Sequence, residues 1–234
     1  MKSFLIIMCL GYCPFGQAYQ VIGHATTNNG KFAYTEIHQV ALDTNGFNQS
    51  VTSSYFNEKN ELFAKMNSKF GSHLFLPITD FEDMRSKHKF LTKFDDLDKT
   101  YVIQAIEPGK SIKEKRLVID ANMIAGQGFD NYIRKNFDFL KKEKKEIKFI
   151  VIPKLDFFAF SVESQKNNES VNSKKTSSFQ ISPDSLLIRL FVKTIQVLYE
   201  EVSGRLMRYQ GLSNIDDANG NSQVVDIQYD QSKP

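Results

Sequence analysis

The sequence predicts a mainly β protein of the α+β class: a curved antiparallel sheet, a half-barrel of about nine or more strands, with one principal helix packed on its concave side. Three observations carry this. The 234 residues include 20 Phe and 9 Tyr but no Trp, an aromatic content that suits strands. Residues 30–70 read as strands separated by short turn clusters. One later stretch, 128–142, switches to helical period.

Before the first strands, Lys2 precedes the uncharged apolar run Phe4–Leu10. Gly11 and Pro14 then break it, and Gly16-Gln17-Ala18 sets small residues at the positions a signal peptidase requires. Residues 1–18 are therefore expected to be a signal peptide cut near Ala18, leaving a periplasmic or secreted chain. Cys9 and Cys13, the two cysteines, would leave with it. Lipoprotein anchoring on either is disfavoured, because the bulky Met8 and Tyr12 precede them. Residues 19–230 then form a single half-barrel domain that folds on its hydrophobic core without disulfides, and residues 231–234 form a frayed tail. The apolar run is too short to span a membrane, and no later stretch is long enough, so no transmembrane segment is expected in the mature chain.

In 30–70, "KFAYTEIHQVAL", "FNQSVTSSYF" and "ELFAKMNSKF" are joined by Asp43-Thr44-Asn45-Gly46 and Asn57-Glu58-Lys59-Asn60. These turn residues supply positive φ or local side-chain hydrogen bonds, so both junctions read as hairpins. Beyond them, "HLFLPI", "HKFLTKF", "TYVIQAI" and "EKRLVI" read as short strands. In 128–142, Phe129, Tyr132, Ile133, Phe137 and Leu140 make one helical stripe, with Asp130 near its start and lysines at its end. Glu143 and Glu146 interrupt those lysines, which marks a solvated helix end rather than a nucleic-acid or lipid patch.

"IKFIVIPKLDFFAFSV" reads as strand apolar on both sides, with Pro153 at a bulge or edge. Residues 164–178, rich in Ser, Asn and Lys, read as a mobile polar surface loop. "DSLLIRLF", "IQVLYEEV", "RLMRYQGLSNI" and "SQVVDIQY" complete the strands, with Gly211 as a possible kink. Glycosylation sequons occur at Asn48 and Asn168.

The chemistry of the chain is sparse. It has no phosphate loop, dinucleotide fingerprint, HExxH or nucleophile elbow. His24, His38, His73 and His88 sit on separate segments without metal-ligand spacing, so neither metal nor cofactor is expected. The formal charge of +3 gives no long-range attraction for nucleic acid. Glu36, Asp83 and Arg85 form the one candidate polar cluster, since an inward Glu36 would need a partner such as Arg85. Hydrolysis by Glu36 and Asp83 is the remote version of that idea, and the chain is not expected to be an enzyme.

The signal segment, the Tyr34-x-Glu36 strand in a hairpin series, the late helix and the terminal "RYQGLSN…VVDIQY" hairpin resemble uncharacterised exported bacterial proteins. Those in turn are similar to the half-barrel fold of the outer-membrane lipoprotein carriers. The resemblance implies an apolar concavity that shelters acyl chains. Phe129, Tyr132, Ile133, Phe137, Leu140, Phe149, Val151, Phe158 and Phe160 are the candidate lining. The expected function is non-enzymatic binding of a lipid or other apolar ligand in that concavity. The alternative is a structural or assembly protein of the cell envelope with a filled core, which holds a protein partner at a sheet edge or surface loop.

Overall fold

The computed structural model describes residues 17–166, 170–171, 173–185 and 194–231. The expected signal segment with Cys9 and Cys13 falls outside these residues from 1 to 16, as do Asn168, residues 186–191 of the expected strand at 184–191, and the tail from 232.

Eight strands form an up-and-down meander: β1 (Ala18–Thr27), β2 (Phe32–Leu42), β3 (Asn48–Phe56), β4 (Leu62–Lys69), β5 (Ile78–Asp83), β6 (His88–Asp95), β7 (Thr100–Ile106) and β8 (Lys113–Val118). The short β9 (Met123–Ala125) leads into α1 (Gly128–Lys135) and α2 (Phe137–Leu140). The chain continues through β10 (Lys145–Val151), β11 (Asp156–Gln165), β12 (Ser170–Val171), β13 (Lys174–Pro183), β14 (Ile195–Glu200), β15 (Leu206–Leu212) and β16 (Val224–Gln231). They make one 16-stranded sheet in the order β8-β7-β6-β5-β4-β3-β2-β1-β16-β15-β14-β13-β11-β10-β9, with β12 beside β13. All pairings are antiparallel except β9 with β10. The sheet is open and mainly β, as the aromatic content and turn spacing predict.

The expected turns behave as their residues require. Asp43 Oδ1 accepts hydrogen bonds from the backbone N–H of Asn45 and Phe47, and Gly46 takes φ 80°. Asn60 takes φ 60° in the next turn. The sequence stripe over 128–142 becomes two helices, because the chain leaves helical geometry at Asn136 (φ −106°, ψ 16°). The Asn136 side chain donates to the Tyr132 carbonyl at 2.8 Å, a local bond that competes with helix continuation.

Four sequence expectations need correction. "HLFLPI" is mostly turn, and its strand begins only at Ile78. Pro153 sits in a 3-10 turn, Ile152–Lys154, between β10 and β11, so the doubly apolar run is a hairpin and not one bulged strand. Proline presets the turn's φ, and Leu155 at φ 53° closes it. Much of 164–178 is ladder: Ser164 and Gln165 pair with Phe179 and Ser178. Thr176, Ser177 and Ser178 are buried there, since backbone pairing on both sides holds polar residues in a strand that composition alone would leave as loop. Gly211 lies in an unbroken register with Val225 and marks close packing, not a kink: a Cβ there would stand 2.8 Å from Ile195 Cγ1.

Helix α1 is seated on the concave side by polar clamps as well as apolar contact. The fully buried Asn131 accepts the Asn48 N–H at 2.8 Å and donates to the carbonyls of Asn48 and Leu74. Asp130 accepts from Asn48 Nδ2 at 2.9 Å and from the Tyr199 hydroxyl at 3.1 Å. The sequon asparagine at 48 is thus spent inside the fold, 5% exposed, and is no glycan acceptor in it. The ends of the sheet also approach each other. Leu76, Tyr101, Ile103 and Leu117 from one flank pack with Met123, Ala125 and Ile150 from the other.

Candidate functional site

The apolar residues expected to line a concavity converge as a packed body. Tyr132, Ile133, Leu140 and Phe160 are 3% exposed or less and share one cluster with Ile124, Ile147, Val162, Phe179, Ile181, Val197 and Tyr199. Phe129, Phe137, Phe149 and Phe158 are half-buried against it. Val151, also half-buried, stands at the end of β10 outside that cluster. The rings meet edge to face, Phe137 on Phe179 at 5.3 Å, Phe149 on Phe160 at 5.8 Å and Phe129 on Phe149 at 6.2 Å. Such pairs add stability beyond their buried area. The space between helix and sheet is occupied by these side chains.

Beside this body runs a polar spine on the concave face of β2 and β3. Alternation turns Tyr34, Glu36, His38 and Val40 to the same side, and Glu36 is 3% exposed. Its Oε1 accepts from the Tyr229 hydroxyl at 2.7 Å and lies 2.9 Å from His38 Nε2. With its proton on Nε2, His38 donates to Glu36, and its Nδ1 accepts from the Ser53 hydroxyl at 2.6 Å. Ser53 in turn accepts from Gln127 Nε2 at 2.8 Å, which ties the start of α1 to the strands. Gly23, opposite both Glu36 and Tyr229, leaves room for this contact; a Cβ would fall 2.8 Å from each.

Ser53, His38 and Glu36 stand in the contact order of a nucleophile, a base and an orienting carboxylate. Ser53 has no exposed surface, however, and its oxygen is covered by Gln127. The spine therefore joins β2, β3, β16 and α1 without an opening at the hydroxyl. Sequence reasoning raised an inward Glu36 only for a curled sheet, with Arg85 as its partner, and missed His38, Ser53, Gln127 and Tyr229.

The expected cluster of Glu36, Asp83 and Arg85 separates into two parts. Asp83 lies in the same cross-strand row as Glu36, three strands away through Tyr55 and Ala64, about 14 Å at ordinary strand spacing. Arg85 instead grips Asp83 with Nη2 at 2.6 Å and Nε at 3.1 Å, and stacks 4.0 Å over the Phe63 ring. Burial pushes the Asp83 carboxyl up, but the Arg85 guanidinium and backbone N–H groups outweigh it and hold it below the usual range. The Arg85 Nη2 also donates to the Asp216 carbonyl, in the connection from β15 to β16. That connection caps the concave face: Ser213 bonds Tyr34 at 2.8 Å, Asn214 donates to the Tyr55 hydroxyl at 3.2 Å, and Ile215 is buried.

The described tyrosines share one electrostatic consequence. Burial raises Tyr34, Tyr55, Tyr199, Tyr209 and Tyr229, Asp130 adds to the effect at Tyr199, and Glu36 adds to it at the other four. Burial alone pushes Tyr132 up to about 12. A raised folded-state value means the folded protein keeps the phenol proton that the unfolded chain would release. The stability so contributed is whole below the unfolded tyrosine range near 10 and is lost as pH climbs from there toward the folded values. In an alkaline titration followed by ultraviolet absorbance, tyrosine ionisation is expected to coincide with unfolding seen by circular dichroism. A smooth titration centred near pH 10 with the fold intact would contradict the packing.

Among the described residues, no group of three His, Cys, Asp or Glu converges as a metal site, and no helix is long and apolar enough to cross a membrane. The histidines remain apart: His24 lies 3.7 Å from Asp230, and His73 stacks on Phe94 at 4.6 Å. At the helix end, Lys141 approaches Glu201 at 3.7 Å and Lys145 donates to Asn136 at 3.1 Å.

No family model matches the sequence, and no curated protein matches it. Among solved structures, a β-barrel-like protein of a domain of unknown function, DUF1849, from Brucella abortus is 9% identical with a TM-score of 0.44, over 94% of this chain and 97% of that one. A porin-like protein from Bacteroides uniformis is 10% identical with a TM-score of 0.32, over 94% and 99%. A LolA superfamily protein from Nitrosomonas europaea is 9% identical with a TM-score of 0.24, over 95% and 88%.

Proposed function

We propose that this chain is an exported, non-enzymatic envelope protein that keeps its interior filled and holds a protein partner on its outside. The packed body between helix and sheet carries this reading: Tyr132, Ile133, Leu140, Phe160 and Phe179 are buried by one another, in the place a carrier would keep open. Export rests on the order of Lys2, Phe4–Leu10 and Gly16-Gln17-Ala18 in the sequence. The absence of catalysis rests on a shielded Ser53 and on carboxylates held in pairs.

The best-suited surface is β8. Among the described residues it has a neighbour on one side only, and Lys113 through Arg116 are exposed on both faces. An open edge recruits a partner strand through main-chain hydrogen bonds, while its lysines limit indiscriminate pairing. A photo-crosslinking residue at position 115, in cells of the native host, should give one discrete adduct; the same probe at position 65, on the outer face of β4, should give none. Adducts at neither site, or equally at both, would remove the edge from the account.

One observation favours a second reading, uptake of a lipid or acyl chain beside α1. The buried Tyr132 hydroxyl and Gln127 Oε1 have no hydrogen-bond partner among the described residues, and four of the surrounding phenylalanines are only half-buried. An amphipathic ligand with a polar head would satisfy those atoms on displacing part of the packing.

A further inference from the structure

The outer face of five adjacent strands carries a row with three consecutive glutamines, bounded by Glu163 on β11 and Asp226 on β16. Gln180 stands opposite Gln196, Gln196 opposite Gln210, Gln210 opposite Asp226, and Asp226 opposite Thr26. Directly opposed residues project to the same face, so β13, β14 and β15 present three amides side by side, and Asp226 on β16 and Thr26 on β1 continue the row. The corresponding outer row across β3 to β6 is Ser54, Lys65, Glu82 and Lys89, where Lys89 and Glu82 pair at 3.0 Å. Solubility alone is served by that alternation of charge. It does not call for three consecutive glutamines.

The row forms the floor of a groove of about 580 Å³, walled at one end by the β1–β2 turn through Asn28 and Gly30 and at the other by Thr194. Its volume falls in the range of small-ligand sites. The single formal charge on the floor is already spent: Asp226 accepts from Arg208 Nε at 2.8 Å and from Arg208 Nη2 at 2.5 Å. Gln210 Nε2 donates to the same carboxylate at 2.8 Å, and Gln180 Nε2 to Ser182 at 2.9 Å. Those bonds fix the two amides, whose carbonyl oxygens accept no hydrogen bond among the described residues. The exposed Gln196 between them makes no side-chain hydrogen bond among the described residues and offers both donors and its acceptor.

We infer that this groove is a binding site for a neutral oligosaccharide. Amides and hydroxyls, each able to give and take hydrogen bonds, match the alternating donors and acceptors of sugar hydroxyls. The neutralised floor offers nothing to a phosphate, sulfate or other anion. The strands set successive amides about 4.8 Å apart, so the row addresses more than one ring of an extended chain. The site lies on the convex side, opposite the packed interior, and is independent of the β8 edge.

The test is a titration of isotope-labelled full chain with neutral tetrasaccharides built from glucose, galactose, mannose or N-acetylglucosamine, followed by nuclear magnetic resonance. At least one should shift the side-chain amide signals of Gln180, Gln196 and Gln210 saturably, with a Kd of about 1 mM or tighter. Gln196→Ala, an exposed change that leaves the fold intact, should weaken that binding about tenfold, as loss of a hydrogen-bonded pair does. A sulfated tetrasaccharide should not compete. No saturable shift with any of the four, equal binding by Gln196→Ala, or the same response to glycerol would overturn the inference. None of these failures touches the filled interior, which is read separately by fatty-acid binding.

Discussion

His38→Leu is expected to cost about 3–5 kcal/mol of stability, because it removes a hydrogen bond to a buried carboxylate, about 1.5–3 kcal/mol, and leaves the buried Ser53 hydroxyl without its acceptor, about 1–3 kcal/mol. Glu36 is 3% exposed and relies on two partners, the Tyr229 hydroxyl at 2.7 Å and His38 Nε2 at 2.9 Å. Leucine fills the imidazole's space but offers no donor, and it frees Ser53 from the bond that orders the link to Gln127. Tyr229→Phe removes one hydrogen bond to a charged group and should cost less, about 1.5–3 kcal/mol. The two sites share Glu36, so their double variant should depart from the sum of the single effects. Urea unfolding of the four proteins measures this. A His38→Leu chain within about 0.5 kcal/mol of the parent, the range of indifferent surface changes, would show that the spine does not hold Glu36.

Gly128→Ala should be the next most damaging substitution, against the usual trend. In a helix, alanine normally stabilises over glycine by about 1 kcal/mol. At Gly128, a Cβ would stand 2.0 Å from the Phe75 carbonyl oxygen and 2.5 Å from its carbon. Backbone has little freedom to withdraw, and this carbonyl also accepts the Ala125 N–H at 3.0 Å while the Phe75 ring packs on Tyr132 at 5.3 Å. Moving the helix instead would disturb Asn131 and Asp130 at their contacts with Asn48. A loss of about 3 kcal/mol follows, at the upper end of overpacking effects. Gly71→Ala, with no atom within 4 Å of its Cβ and no positive φ, is the control and should change stability by less than about 0.5 kcal/mol. Equal behaviour of the two variants would mean that α1 is not pressed against residues 74–76.

The sequence disclosed local features well because their causes are local. Asp43, Gly46 and Asn60 announce turns through side-chain hydrogen bonds and positive φ, and the stripe from Phe129 to Leu140 announces a helix through its period. Distances across the sheet were less legible. An inward Glu36 was conceivable for a curled sheet, but Tyr229 reaches it only because β16 returns to pair with β1, a partnership almost the whole chain apart. His38 did leave a trace: it shares the Tyr34, Glu36 and Val40 face of one strand, where one histidine, exposed or singly hydrogen-bonded, is the simpler reading. Nothing near Gly128 hints at Phe75. Residues 164–178 illustrate the opposite failure, since a polar composition suggests a loop until β11 and β14 supply partners for the backbone.

The nine apolar candidates were found as a group by period and composition, yet those signals cannot distinguish a wall from a core. Both require apolar side chains at the same positions. Edge-to-face contacts such as Phe137 with Phe179 support the core in the proposed reading, because rings that fill each other's space leave little for an acyl chain. In this protein the outer groove and the β8 edge therefore become the surfaces of interest, while the helix and spine set the rigidity beneath them.

The most direct measurement is native mass spectrometry of the chain purified from its own host, joined to titration with a fluorescent fatty acid. The filled interior predicts the bare mass of the mature chain and no saturable fluorescence change. A stoichiometric lipid adduct, with saturable uptake abolished by Phe137→Trp, would contradict it and return the apolar residues to the role of a ligand wall.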